Sequence, residues 1–263
     1  MIDLEQGPWI WLKQELDRWL ELGAAAEFWW RDDDAVSVTP QLQQLCLLSD
    51  RYSVPLSLAV IPQNLQSDLP SYLNDYPQLT VLQHGFAHIS HATPGQRKLE
   101  LGGSWSSKEA MPCLLQGRER LQEAFTGQFV EVMVPPWNRI SEELSEALGA
   151  AGYRGLSTLK ARKPGSRESG LKIFNTHLDP INWRHGARFL GAYPCIAVLV
   201  QHLIAKRCGY RDQDEPTGLL THHLVQNQAV WRFTESLLDF LNRHPAASWS
   251  DARRLWAGSP GTI

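Results

Sequence analysis

Short apolar runs alternate with longer segments of helical periodicity along this chain, and most of the runs end in a polar cluster. Trp9, Trp11, Leu12, Leu16, Trp19 and Leu20 fall at helical spacing and predict a helix over residues 5–22. Residues 27–31 read as a strand that ends at Asp32, Asp33 and Asp34. Thr39 and Pro40 supply the cap and first turn of a helix through Tyr52. Residues 55–61, 79–83 and 129–134 are apolar strands, with a polar helix between Leu65 and Asn74. Residues 95–107 form a polar loop, after which Ser107 caps a helix toward Phe125 that Pro112 or Gly117 could interrupt. Ser141 opens a helix to Ala151, with Glu143 and Glu146 near its positive end. Strands are expected at 153–158, 171–176 and 218–221, and a long helix at 228–242. Residues 186–207 read as mostly helical, with a kink or break at Pro194.

About seven strands separated by helices predict an α/β fold with a parallel sheet. Polar clusters at the carboxyl ends of strands predict barrel-like closure, because α/β barrels gather their sites there. The 263 residues, 43% of them hydrophobic, suit one barrel domain of about 250 residues. The expected organisation is a single domain, 1–263, with the N-terminal helix docked on the barrel.

Composition narrows the function classes. A net charge of −3 gives no sign of nucleic-acid binding. The modest basic group Arg162, Lys163 and Arg167 reads as a solvated loop. The longest apolar run, 195–200, is far short of the roughly 20 residues a membrane span needs. The acidic start lacks the basic residues and apolar stretch of a signal peptide. Cys46, Cys113, Cys195 and Cys208 are scattered and read as free, buried thiols of a reducing compartment. A cytoplasmic protein is expected, and its oligomeric state is not legible.

Five clusters carry chemistry. Asp32-Asp33-Asp34 suits a site occupied by a cation or base, or else a solvated capping turn. His84 and His88 are four residues apart and can aim two imidazoles at one point. With one Asp they form a three-ligand face that leaves positions open for water and substrate. His91 adds a nearby imidazole better suited to a supporting or surface place than to ligation. Pro135, Pro136 and Trp137 offer a rigid path and a large aromatic, either a platform or a strand terminator. Asp179 could orient an imidazole at His222 so that it serves as general acid, with Trp183 walling the pocket. After Leu219 and Leu220, one of His222 and His223 should point inward and the other away.

In order and spacing, residues 28–223 resemble the NodB-type polysaccharide deacetylases, carbohydrate esterase family four, as a divergent branch. The resemblance implies a distorted (β/α)7 barrel of the polysaccharide deacetylase type and metal-dependent removal of N- or O-acetyl groups. It implies that Asp33 is the general base and that Asp34, His84 and His88 are the metal ligands; a register of Asp32-Asp33 is the other reading of the acids. It makes His222 the general acid, with Asp179, Asn182 and Trp183 as its fourth motif, Pro136 and Trp137 as substrate contacts, and a backbone N–H near Trp137 in the oxyanion hole. Zinc leads the expected divalent ions, with cobalt, nickel, iron and manganese behind it. The expected substrate is an N-acetylated carbohydrate or related small amide.

Four positions depart from the pattern. Ala35 stands where glycine is usual, Gly85 where Ser or Thr is common, Ile89 where proline is common, and Val134 where the family has the arginine that pairs with the base. Arg31 or Arg139 could supply that charge. The departure, with eleven tryptophans, motivates a second reading as a non-catalytic carbohydrate-binding descendant of the same fold. A sugar-processing barrel that uses Asp and Glu without metal is the third.

Overall fold

The computed structural model describes residues 7–162 and 170–257. Lys163 and Arg167, from the predicted basic loop, lie outside them. The strands are β1 (Ala26–Ala35), β2 (Leu56–Val60), β3 (Thr80–His84), β4 (Phe129–Val134), β5 (Gly155–Leu156), β6 (Lys172–Ile173), β7 (Ile181–Asn182), β8 (Arg188–Phe189), β9 (Thr217–Thr221) and β10 (Ala247–Trp249). The helices are α1 (Trp9–Glu21), α2 (Pro40–Tyr52), α3 (Asp68–Leu73), α4 (Ser107–Ala124), α5 (Glu142–Ala150), α6 (Ala192–Arg207), α7 (Gln228–Arg243) and α8 (Ala252–Leu255).

A parallel sheet runs β1-β2-β3-β4-β5-β6, with β9 and β10 also paired in parallel to β1. The path from β6 back to β9 is completed by a single parallel bridge, Leu178 to Leu219, so the sheet curls into a distorted barrel. Every residue of β2 and β3 is buried, as expected of strands covered on both faces.

Strand alternation separates the core into layers. Leu56, Leu58 and Val60 of β2 pack outward with Trp30 against helices. Ala59 faces the other way, into an inner cluster with Trp29, Leu82, Val132 and Trp256. α1 buries Trp9, Leu12, Leu16 and Trp19 in the outer layer and is tied to α6 by ion pairs between Glu15 and Arg207.

Local caps explain several helix starts. The Thr39 hydroxyl accepts from the Leu42 N–H at 3.0 Å, and the Ser141 hydroxyl accepts from the Leu144 N–H at 3.3 Å.

Five expectations are corrected. β1 does not stop at Arg31 but runs through the three aspartates. α4 is continuous through Pro112 and Gly117; at Gly117 a Cβ would stand 2.8 Å from Gln83 Nε2 and 2.9 Å from Pro62 Cγ, so the glycine permits close helix–strand approach. Pro194 produces no break, because α6 begins only at Ala192 and the proline sits in its first turn. The segment before α6 is instead an antiparallel β7–β8 hairpin. Cys208 is exposed and Cys113 half-buried, whereas Cys46 and Cys195 are buried. No described helix is long and apolar enough to cross a membrane.

Candidate active site

The first acid cluster is divided by strand alternation. Arg31 and Asp33 share the inner face of β1, whereas Trp30 and Asp32 share the outer one. Asp32 is fully buried, accepting from the Thr221 hydroxyl at 2.7 Å and from the His223 N–H at 3.0 Å, with the His223 ring also bonded to it. Trp30 Nε1–H donates in turn to Thr221 Oγ1 at 2.9 Å. Asp32 is thus a structural acid, and Asp33 and Asp34 face the site.

By alternation Asp34 would follow Asp32 outward. It does not, because the β1–β2 register shifts between Asp32 and Ala35 and Asp34 adopts φ +74°. This bulge turns its carboxylate toward the end of β3. Asp34 Oδ1 lies 3.1 Å from His84 Nε2 and 3.3 Å from His88 Nε2. One ligand atom from each of the three residues lies within 4.8 Å of the others.

The donor chemistry fits a divalent cation. His84 Nδ1–H donates to the Val134 carbonyl at 2.9 Å, which leaves the Nε2 lone pair facing the cluster. Burial works against a charged His84, but the Asp33 and Asp34 carboxylates outweigh it and push its pKa above the ordinary value. Burial and the neighbouring His84 pull His88 below its own. Burial raises Asp34, but its histidine neighbours prevail and hold it well below the usual carboxylate range.

Val134 offers Asp33 no charge, and the cation beside Asp33 comes from β1. Arg31 is fully buried; its Nε lies 2.8 Å from Asp33 Oδ1 and its Nη2 donates to Asp33 Oδ2 at 3.1 Å. The remaining donors reach Ser157 Oγ at 2.6 Å, the Ser157 carbonyl at 3.1 Å and Asn138 Oδ1 at 2.6 Å. Arg139 instead donates to the Lys98 carbonyl at 2.8 Å. Of the two candidate arginines, Arg31 pairs with the acid.

Across the cleft, His222 Nε2 lies 4.0 Å from Asp33 Oδ2, and its Nδ1 lies 4.0 Å from Asp179 Oδ2. Both separations exceed a hydrogen bond. Asp179 is fixed by the Ile181 N–H at 2.9 Å and by Trp183 Nε1–H at 2.8 Å. Burial pushes its carboxyl above the ordinary range, against the pull of His222, Trp183 and Ile181. The Trp183 ring stands edge-on to His222 with centroids 4.8 Å apart and is half exposed, so it walls the opening. Asn182 caps the turn after it by accepting from the Arg184 N–H at 3.1 Å.

Trp137 and Asn138 both have positive φ, +55° and +56°. That strained turn lays the Trp137 ring against His88, centroids 4.5 Å apart, with the Lys98 ammonium over the Trp137 ring, 5.5 Å from its centroid. Pro136 is buried against Gly85 and shapes this turn. His91 stacks on Trp105 at 4.6 Å in the next loop and is not among the grouped ligand atoms.

Sequence reasoning missed Glu100, Ser157 and the Asp32–His223 pair. Burial disfavours charge on His223, but Asp32 prevails and raises its pKa. A histidine raised on folding stabilises the native state fully below its ordinary pKa of about 6.5, and that contribution is lost as pH rises through the folded value. The stability gap between the wild type and His223→Gln, measured by urea unfolding, is therefore expected to be wider at pH 6 than at pH 9.

No family model matches the sequence, and no curated protein matches it either. Solved structures do. The chain is similar to a Streptococcus mutans CE4 esterase (TM-score 0.58, 9% identity, covering 91% of this chain and 90% of that one). It is similar to the chitin deacetylase of the fungal pathogen Colletotrichum lindemuthianum (TM-score 0.55, 14% identity, 90% of each chain). It is also similar to a family 4 acetyl xylan esterase from Clostridium thermocellum solved with a cobalt ion (TM-score 0.53, 12% identity, 88% and 90%). The parallel sheet, its distorted closure and its surrounding helices are those of the CE4 esterase and polysaccharide deacetylase fold.

Proposed function

We propose that this chain is a metal-dependent hydrolase that removes an acetyl group from an N-acetylated carbohydrate or a related small amide. One observation carries the reading. Asp34, His84 and His88 converge beside an Arg31-paired Asp33 and face a His222 backed by Asp179. The similar structures include a chitin deacetylase and an esterase holding cobalt, which agrees with that chemistry.

Asp34, His84 and His88 would hold the ion, with zinc preferred for a set of two imidazoles and one carboxylate. When bound, it supplies Lewis-acid polarisation of the acyl carbonyl and lowers the pKa of water. The chain's own groups do the rest. Arg31 holds Asp33 by an Nη2–H bond to Oδ2 and an ion pair with Oδ1, and Asp33 takes a proton from the attacking water. The Trp137 N–H donates to the developing oxyanion. As the C–N bond breaks, His222 delivers a proton from Nε2 to the departing nitrogen, and Asp179 stabilises the imidazolium that donates it. His222 Nε2 and Asp33 Oδ2 stand 4.0 Å apart and border one space beside the ligand cluster, so acid and base can serve the same reacting group. Trp183 covers that space from the side.

The reading as a binding-only descendant drew on a missing arginine. The Arg31–Asp33 pair favours turnover instead. Asp33→Asn is expected to cut acetate release from N-acetylglucosamine oligosaccharides by about 10²–10⁴-fold while zinc binding persists. Unchanged release in that variant would remove Asp33 as the base.

A further inference from the structure

Between the two histidine ligands the chain makes a tight loop that the metal-site chemistry leaves unexplained. Gly85 and His88 both have positive φ, +56° and +58°. The N–H groups of Phe86, Ala87 and His88 consequently point to one spot. Glu100, a fully buried carboxylate from the following loop, occupies it. Its Oε1 accepts from Ala87 at 2.7 Å, from His88 at 3.0 Å and from Phe86 at 3.3 Å. Its Oε2 lies 3.4 Å from the Phe86 nitrogen.

Glu100 is itself anchored. The neighbouring Leu101 bridges in parallel to Ile140, and the Leu101 carbonyl accepts from the Ser141 N–H at 2.8 Å. The carboxylate can reach the loop only because residue 85 has no side chain. A Cβ there would stand 2.0 Å from Glu100 Oε2 and 2.6 Å from Pro136 Cδ. Gly85 and Glu100 therefore form one device, packed between the histidine loop and the Pro135–Asn138 turn.

We propose that Glu100 is the positioning residue of the metal site: its carboxylate holds the His84–His88 loop in the geometry that lets His88 join His84 and Asp34. The inference rests on the metal-site reading above. The loop presents a backbone concavity of the kind that binds an anion, and here the protein supplies its own. Outer-sphere groups that orient ligands typically change metal affinity by 10–100-fold when removed.

The test combines zinc titration calorimetry with hydrogen exchange of the Phe86, Ala87 and His88 amides on the full chain. Glu100→Ala is expected to bind Zn²⁺ about 10–100-fold more weakly than the wild type. Its three amides should exchange faster, and added formate should recover part of the lost affinity. Glu100→Gln keeps an oxygen at the Oε1 position and is expected within about threefold of wild type. Glu100→Asp, one methylene short, should fall between them. Gly85→Ala, which displaces the carboxylate, should resemble Glu100→Ala. Wild-type zinc affinity and unchanged amide exchange in Glu100→Ala would overturn the proposal. If that variant does not fold, the ordering of Gln above Asp decides, and equal behaviour of Asp and wild type overturns it. A wild type that binds no Zn²⁺ defeats the metal-site reading, whereas amide exchange in the variants still decides whether Glu100 holds the loop.

Discussion

Arg31→Met is expected to abolish measurable turnover and to cost about 3–5 kcal/mol of stability. The side chain is fully buried, and its guanidinium serves four partners: Asp33, the Ser157 hydroxyl, the Ser157 carbonyl and Asn138. Methionine fills similar volume and supplies none of those donors. Asp33 would be left as an uncompensated buried carboxylate, which is among the costlier single defects a fold can carry. Asn138 would lose the bond that steadies its left-handed conformation, and with it the turn that places Trp137. Arg31→Lys keeps the charge but cannot form the two-pronged contact, so an intermediate loss is expected. Arg139→Ala makes the control, since among the described residues the Arg139 side chain bonds to the Lys98 carbonyl, away from Asp33, and should change stability by no more than about 0.5 kcal/mol. Urea unfolding and acetate release measure both arms. Wild-type stability in Arg31→Met would show that Asp33 does not depend on this partner.

The second large effect is on the metal. His84→Ala removes the proposed ligand whose orientation is best fixed, with Nδ1 held by Val134 and Nε2 beside Asp34. Losing one of three protein ligands should weaken zinc binding by more than the roughly 10–100-fold that an outer partner costs, and acetate release should fall to background. His88→Ala should behave alike. Asp32→Asn should instead act mainly on stability, because Asp32 bonds to Thr221 and His223 away from the cluster. Full zinc content in His84→Ala, read by metal analysis after gel filtration, would remove His84 from the ligand set.

These contrasts show where the sequence was legible. The long elements were, because their periods are strong: β2, β3 and β4 read as continuous apolar runs, and α2 and α5 carry capping residues that bond as expected. β7, β8 and β10 were not, since two or three residues cannot display a period. In the site, the ordered polar clusters brought out the acids 32–34, His84, His88, Asp179 and His222, and the resemblance picked Asp33 and Asp34 among the acids. Spacing could not separate Asp32 from Asp34. Alternation alone would place both on one face, and only the bulge with φ +74° at Asp34 separates them. The arginine that pairs with Asp33 is Arg31, one of the two candidates the sequence offered, two residues before the acid itself. Alternation predicts that placement, because i and i+2 share a strand face. Glu100 left no signal: it stands in a polar loop, and its role depends on the absence of a side chain at residue 85 fifteen positions earlier.

The central claim is a metal-dependent hydrolytic site built on Asp34, His84 and His88. It is tested most directly by acetate release from N-acetylglucosamine oligosaccharides before chelation, after chelation and after stepwise return of Zn²⁺ or Co²⁺ to the purified wild type. The account predicts that activity disappears with the chelator and returns as about one equivalent of metal binds per chain. Undiminished acetate release from metal-free protein would contradict it.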